Sequence, residues 1–473
     1  MRTRLAVLIL FALIFRSQTA TADSTVVVSR YSLDATFKPE LARIEAVATM
    51  RFVCQGSLPP AAVCFLHGEL SVDSVRLGNR PITIEQKPVF YDYDYSLIAN
   101  QIAVPLSGAS CDSALTIYYS GYFHASRARS QSDYMRIDED GVFLRAYGYS
   151  PWFPMFVSAR SNCPNATFDR VLIHTPAEFR SVFTGTQLSD SVREGWRTTI
   201  WNAVDVALTG AQCTAQRYTV TTAGNCFVYC YTDSSSKAAG AQILQFATAM
   251  NDLYGKYYRK GTAGEPLYVI EMPPYGDISS GNVTGLMAST WKIFADDANA
   301  KRALAHELVH PYTAVPVDRS DPMYCYAIEG FPSYFHLPVL AEVLGTDVYD
   351  RFIDWMEKLY LEKRQTGRTR WGAVPPEKPL LAIKADELST YKDEYVLDDR
   401  ALLFMNYLYR HLGRKRFFTF TSDLLNKQKL TAETFRQTVL KYLPGATADV
   451  DLWLSTTEYP DRFHLDHLPS RKK

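Results

Sequence analysis

The apolar pattern of this chain changes period once, near residue 223, and that change constrains its fold more than any other feature. From about residue 24 to 222, segments such as 25–31, 46–54, 115–119, 198–206 and 218–221 are rich in Val, Ile, Thr and Tyr. Several alternate apolar with polar residues, the period that puts every second side chain on one face of a strand. Gly, Pro, Asn and Asp punctuate between them, and residues 73–80 read as a strand entering a turn. Short strands in succession, with no helical pattern between them, predict an antiparallel sandwich or saddle-like sheet. After Gly224 a strand at 227–231 is followed by Ala239, Ile243, Phe246, Ala247 and Met250 at helical spacing. A further strand is expected at 267–271, and helices dominate beyond residue 296 to about residue 443. The 473 residues exceed one ordinary core. The expected organisation is therefore multidomain, a β domain over 23–222 and a mixed α/β to mainly helical domain over 223–473.

Residues 1–22 read as an export signal rather than as fold. Arg2 and Arg4 precede an unbroken apolar run at 5–15, and Ala20-Thr21-Ala22 supplies the small-x-small pattern of a cleavage site. The run is shorter than the roughly 20 residues a membrane-spanning helix needs. A periplasmic or extracellular protein is expected, with no stable membrane insertion. Eight cysteines, seven of them before residue 231, predict disulfides in such a compartment. Cys54 and Cys64, and Cys226 and Cys230, are nearest in sequence, and connectivity stays open. Fifty basic residues balance fifty acidic ones, which argues against nucleic acid or an anionic membrane as the main partner.

The chemistry is concentrated in residues 298–310, which end in His306-Glu307-Leu308-Val309-His310. Asp296 or Asp297 can cap a helix there. Positions i and i+4 share a helix face, so both imidazoles can aim at one ion, while Glu307 stands beside the first. Two imidazoles and a carboxylate leave Zn2+ a fourth position for water and lower that water's pKa to about 7. A separate carboxylate, Glu307, then serves as catalytic base. This motif alone also fits an amphipathic helix with two partly buried histidines. After eighteen intervening residues comes Glu329, followed by Gly330-Phe331-Pro332-Ser333-Tyr334.

At this point the chain resembles the aminopeptidase N-like gluzincin zinc metallopeptidases, which include leukotriene hydrolase-type enzymes. Their pattern is HExxH, eighteen residues, then Glu within Asn-Glu-Gly-Phe-Ala-Ser-Tyr. Glu329, Gly330, Phe331, Ser333 and Tyr334 match it, with Ile328 for Asn and Pro332 for Ala. Weaker echoes lie in residues 31–37 and 451–454. The resemblance implies one zinc ion on His306, His310 and Glu329, and a peptide substrate. It also implies a saddle-shaped β domain before a thermolysin-like catalytic domain, in a short form lacking the C-terminal helical domain.

Flanking positions depart from the family pattern. Its Gly-Ala-Met-Glu-Asn strand, whose Glu grips the substrate amine, corresponds to residues 279–286 here. Aligning Gly285-Leu286 puts Asn282 at that glutamate, with Gly281 beside it as a further substrate contact; Asn offers the ammonium no charge. The family's oxyanion tyrosine falls at Leu397 when Arg400-Ala401 is aligned, which leaves Tyr395 as the candidate and Tyr391 behind it. Pro311 removes a helix donor, so the metal helix is expected to end or kink at His310. Two readings follow: a zinc peptidase with altered amine recognition, or a non-catalytic relative that binds peptides or a protein partner. His67, His124, His174, His464 and His467 are read as structural or surface residues.

Overall fold

The computed structural model describes residues 27–53, 60–90, 98–110, 113–123, 135–145, 151–156, 165–207, 211–258, 266–271, 280–282, 285–288, 298–318, 320–369, 372–373, 376–383 and 396–470. The proposed export signal, Asp296, Asp297, Tyr391 and Tyr395 lie outside them. The chain divides into two compact units, the first mainly residues 1–129, 135–177 and 187–213, the second mainly 214–473. No helix among the described residues is long and apolar enough to cross a membrane.

In the first unit, eight strands form one sheet: β1 (Val27–Lys38), β2 (Arg43–Val53), β3 (Leu70–Leu77), β4 (Arg80–Ile82), β5 (Ala114–Tyr122), β6 (Asn165–Pro176), β7 (Thr186–Arg193) and β8 (Trp196–Ala207), in the order β7-β8-β6-β1-β2-β5-β3-β4. Alternation along β1 buries Tyr31, Leu33, Ala35 and Phe37. Val28 is buried too, on the opposite parity, because a register shift between Val28 and Arg30 flips the facing of the residues before it. The expectation of a purely antiparallel sheet is corrected here. β1 pairs antiparallel with β2 but parallel with β6. A parallel neighbour needs a long connection, and the intervening chain supplies it. A smaller sheet joins Met155–Phe156, Ala61–His67, Ile98–Pro105 and Glu85–Phe90. Aromatic rings fill the interior: Tyr31 against Phe153 and Phe168, Phe37 against Trp152, and Phe52 against Phe156.

The second unit contains a five-stranded sheet of β9 (Tyr218–Ala223), β10 (Cys226–Tyr231), β11 (Leu267–Glu271), β12 (Ser280–Asn282) and β13 (Gly285–Ala288), in the order β9-β10-β11-β13-β12. β9 hydrogen-bonds antiparallel to β10, so the chain enters this sheet ahead of residue 223. β10 and β11 are parallel, and helix α1 (Ser234–Tyr257) makes the crossover between them. Asp233 caps α1, its carboxylate accepting from the Ser236 N–H at 3.0 Å. Helices α2 (Ala298–Thr313), α3 (Phe331–Leu344), α4 (Thr346–Thr366) and α5 (Val396–Leu412) follow. Their buried faces, Leu304, Leu308 and Tyr312 on α2 with Phe331, Tyr334 and Phe335 on α3, share one core with Ile243, Met250 and Tyr254 of α1.

The disulfide expectation is overturned where it can be seen. Cys64, Cys213, Cys226 and Cys230 are free, buried thiols. Cys226 and Cys230 share strand β10 four residues apart, about 13 Å along a strand, whereas bridged Cα atoms lie within about 7 Å. Burial pushes both thiols up to about 11, which leaves them unreactive. Cys54, Cys111 and Cys163 lie outside the described residues, and only the backbone of Cys325 is described.

Candidate metal centre

Helix α2 owes its position to its apolar stripe. Leu304, Ala305, Leu308, Val309 and Tyr312 are buried, and the Tyr254 hydroxyl of α1 donates to the Ala305 carbonyl at 2.8 Å. The neighbouring face carries His306, Glu307 and His310, each partly exposed. The helix does not stop at its second histidine. It runs through Pro311 to Thr313, and the Ala314 N–H still donates to the His310 carbonyl at 3.2 Å. Pro311 stands in the last turn, where one missing donor orphans the Glu307 carbonyl and little else.

Glu329 sits on a π-helical turn, Tyr326–Gly330, that leads directly into α3. Such turns widen the helix by one residue and concentrate at functional sites. Pro332 follows that turn at the start of α3 and supplies no N–H to the carbonyls before it. Helices α2 and α3 pack against each other and bring the two segments together.

His306, His310 and Glu329 form a group whose ligand atoms converge. His306 Nε2 lies 3.2 Å from His310 Nε2 and 3.4 Å from Glu329 Oε2, and His310 Nε2 lies 3.7 Å from Glu329 Oε2. A triangle with these sides has a circumradius of about 2.0 Å, matching zinc's bonds of about 2.0–2.2 Å to nitrogen and oxygen. Two imidazoles facing each other with a carboxylate across from them also suit a cation better than they suit one another. Glu307 Oε2 stands 3.9 Å from His310 Nε2, beside the trio. Burial pulls the His306 pKa down, but the hydrogen bond to Glu329 and the charges of Glu307 and Glu329 outweigh it and raise the group above its ordinary value. The pocket of charge thus favours a positive occupant at this ring.

Sequence reasoning missed His336. It is fully buried on α3, seven residues beyond Glu329, and its ring stands 5.5 Å from that of His306 at 84°. Its Nδ1 bonds the Pro332 carbonyl at 2.8 Å. Burial, with the nearby charges of His306 and Arg302, holds it well below the ordinary histidine range, so the ring is neutral. The i, i+7 spacing from Glu329 was the available signal. Asn282 and Gly281 lie on edge strand β12, which packs against α2; their backbones are described and their side chains are not. Among the histidines set aside, His174 bonds Thr198 at 2.8 Å and Asp34 at 3.1 Å within the first unit's sheet.

No family model and no curated protein matches the chain. Solved structures do. The M1 zinc metallopeptidase from Deinococcus radiodurans superposes with a TM-score of 0.64 at 16% identity, over 96% of this chain and 98% of that one. This chain has the fold of an M1 zinc metallopeptidase. A mutant of that metallopeptidase bound to a Tyr-Ser-Ala substrate gives 0.62 at 17% identity, over 92% and 95% of the two chains. Native yeast LTA4 hydrolase gives 0.66 at 13%, over 96% of this chain and 73% of that chain. A mixed β-sheet unit followed by a helical unit is common to this fold and to the structure described above.

Proposed function

We propose that this chain is an exported zinc peptidase in which His306, His310 and Glu329 hold one Zn2+ and Glu307 is the catalytic base. The carrying observation is the convergence of three ligand atoms at zinc spacing with a second carboxylate alongside. The zinc-metallopeptidase fold supports the same reading. When bound, zinc supplies Lewis acidity toward a scissile carbonyl and acidifies water to a pKa near 7. Glu307 takes the proton of the attacking water on a carboxylate oxygen and returns it to the leaving amine. Tyr395, outside the described residues, is the proposed hydroxyl for the developing oxyanion.

An extended peptide finds an open partner in β12, an edge strand whose outer side carries no further strand among the described residues and which packs against the metal helix. Asn282 ends that strand. An amide there accepts a hydrogen bond from a substrate amine but gives it no charge, so amine recognition is weaker than in an aminopeptidase and N-blocked peptides are substrates as well.

A panel of free and N-acetylated peptides tests this reading, using the zinc-loaded protein and its Glu307→Gln variant. The wild type cleaves members of both classes, and the variant loses about 10²–10⁴ in turnover. Full activity in Glu307→Gln would contradict the assignment.

A further inference from the structure

His336 is an unexplained expense in the core. Its side chain is fully buried, and its Nδ1 faces a carbonyl, which can only accept, so Nδ1 carries the proton. Its Nε2 is left as a buried acceptor with no partner among the described residues. Leaving such a group unpaired forfeits the hydrogen bond it had to water, and a leucine of similar size would avoid that cost.

The position of the ring accounts for it. Nε2 of His306 points into the trio with His310 and Glu329. When that nitrogen is given to a cation, the ring's proton must sit on Nδ1, and ligand histidines pass it to an acceptor behind them. Two imidazoles joined by an N–H···N bond of about 2.9 Å have centroids roughly 5 Å apart. The two rings stand 5.5 Å apart with their planes at 84°, close enough for that bond once the His306 ring turns its Nδ1 toward His336. We propose that His336 is a positioning residue for the metal centre, its Nε2 taking the Nδ1–H of His306 and fixing the tilt of that ring toward the ion.

Phe352 backs His336 at 6.3 Å, and the Arg302 guanidinium lies over Phe352 at 4.3 Å. His336 is thereby held against α4 while it supports α2. The support is an imidazole on an imidazole, with no added negative charge, and it acts through His306 rather than on the substrate.

This inference rests on the zinc reading of the site, and its test separates the two. Zinc affinity is measured by competition with a chromophoric chelator for the wild type, His336→Leu and His336→Gln. His336→Leu is expected to bind about 10–100-fold more weakly, the usual cost of losing an outer partner, and His336→Gln, which keeps an acceptor, to recover part of that. The thermal midpoint of metal-free His336→Leu should be no lower than that of the wild type, which distinguishes a positioning role from a packing one. Equal affinity in all three proteins overturns the inference and leaves the zinc site standing. A wild type that binds no zinc overturns both. Should His336→Leu fail to fold, ¹⁵N histidine spectra of the unmodified protein decide: zinc is expected to shift the His336 Nε2 resonance, and an unmoved resonance overturns the inference.

Discussion

A Cβ added to Gly330 would lie 2.5 Å from the Cβ of Ala401. The turn that carries Glu329 and the first turns of α5 therefore meet at a distance only glycine permits. This contact fixes where α5 begins relative to the metal centre. Gly330 has ordinary helical angles, so the requirement is one of space rather than of backbone conformation.

Replacing Gly330 with Ala is expected to destabilise the protein by about 1–3 kcal/mol, since both partners are backbone-bound and cannot swing away. Thermal unfolding should show a midpoint several degrees lower. Chelator competition should show weaker zinc binding, because relief of the clash moves the turn bearing Glu329. An unchanged midpoint would contradict the packing argument.

The pair Lys363–Asp399 joins α4 to the first turn of α5 at 2.5 Å, with both side chains almost wholly buried. Burial pushes Asp399 up to about 6, against the opposing pull of Lys363. Its folded pKa thus exceeds the ordinary value of about 3.9, so between pH 4 and 6 the folded chain binds more protons than the unfolded one. The contribution to stability falls as pH rises through that window. Equilibrium unfolding across pH 4 to 7 should show that fall in the wild type and not in Lys363→Met/Asp399→Leu. At pH 7 the double variant should equal the wild type or exceed it by about 1–4 kcal/mol, while Lys363→Met alone should lose about 3–5 kcal/mol.

The parts of this structure that sequence reveals are those governed by local period. The strand expected at 25–31 is the first part of β1, which runs on to Lys38, and the run at 267–271 is a strand with the bounds expected of it. His306 and His310 are legible because helical spacing alone puts them on one face. Pairing direction is not legible: the alternation in β1 is the same beside an antiparallel β2 and a parallel β6. Pro311 misled because the cost of proline depends on how much helix follows it, and here only two residues do. Cysteine parity misled because a compartment argument says nothing of distance, and Cys226 and Cys230 lie along a single strand. His336 was hidden among ordinary core positions, since its meaning depends on an unpaired nitrogen that only packing exposes.

Restoring the charge at residue 282 tests the proposed substrate preference. A hydrogen bond to a charged group contributes about 1.5–3 kcal/mol, roughly twice a neutral one, so the carboxylate's advantage of about 1 kcal/mol is roughly fivefold in rate. Asn282→Glu should raise the ratio of kcat/KM for free over N-acetylated peptides by at least that factor. A ratio that does not move would show that Asn282 does not face the substrate's N-terminus.

Zinc stoichiometry of the purified protein, measured beside that of His310→Ala together with cleavage of the same peptides, tests the central claim most directly. The zinc-peptidase assignment requires one zinc per chain in the wild type and a large deficit in the variant. It also requires cleavage that disappears on chelation and returns when zinc is added back. A wild type that cleaves peptides without bound metal, or a His310→Ala protein that keeps a full equivalent of zinc and full activity, would contradict it.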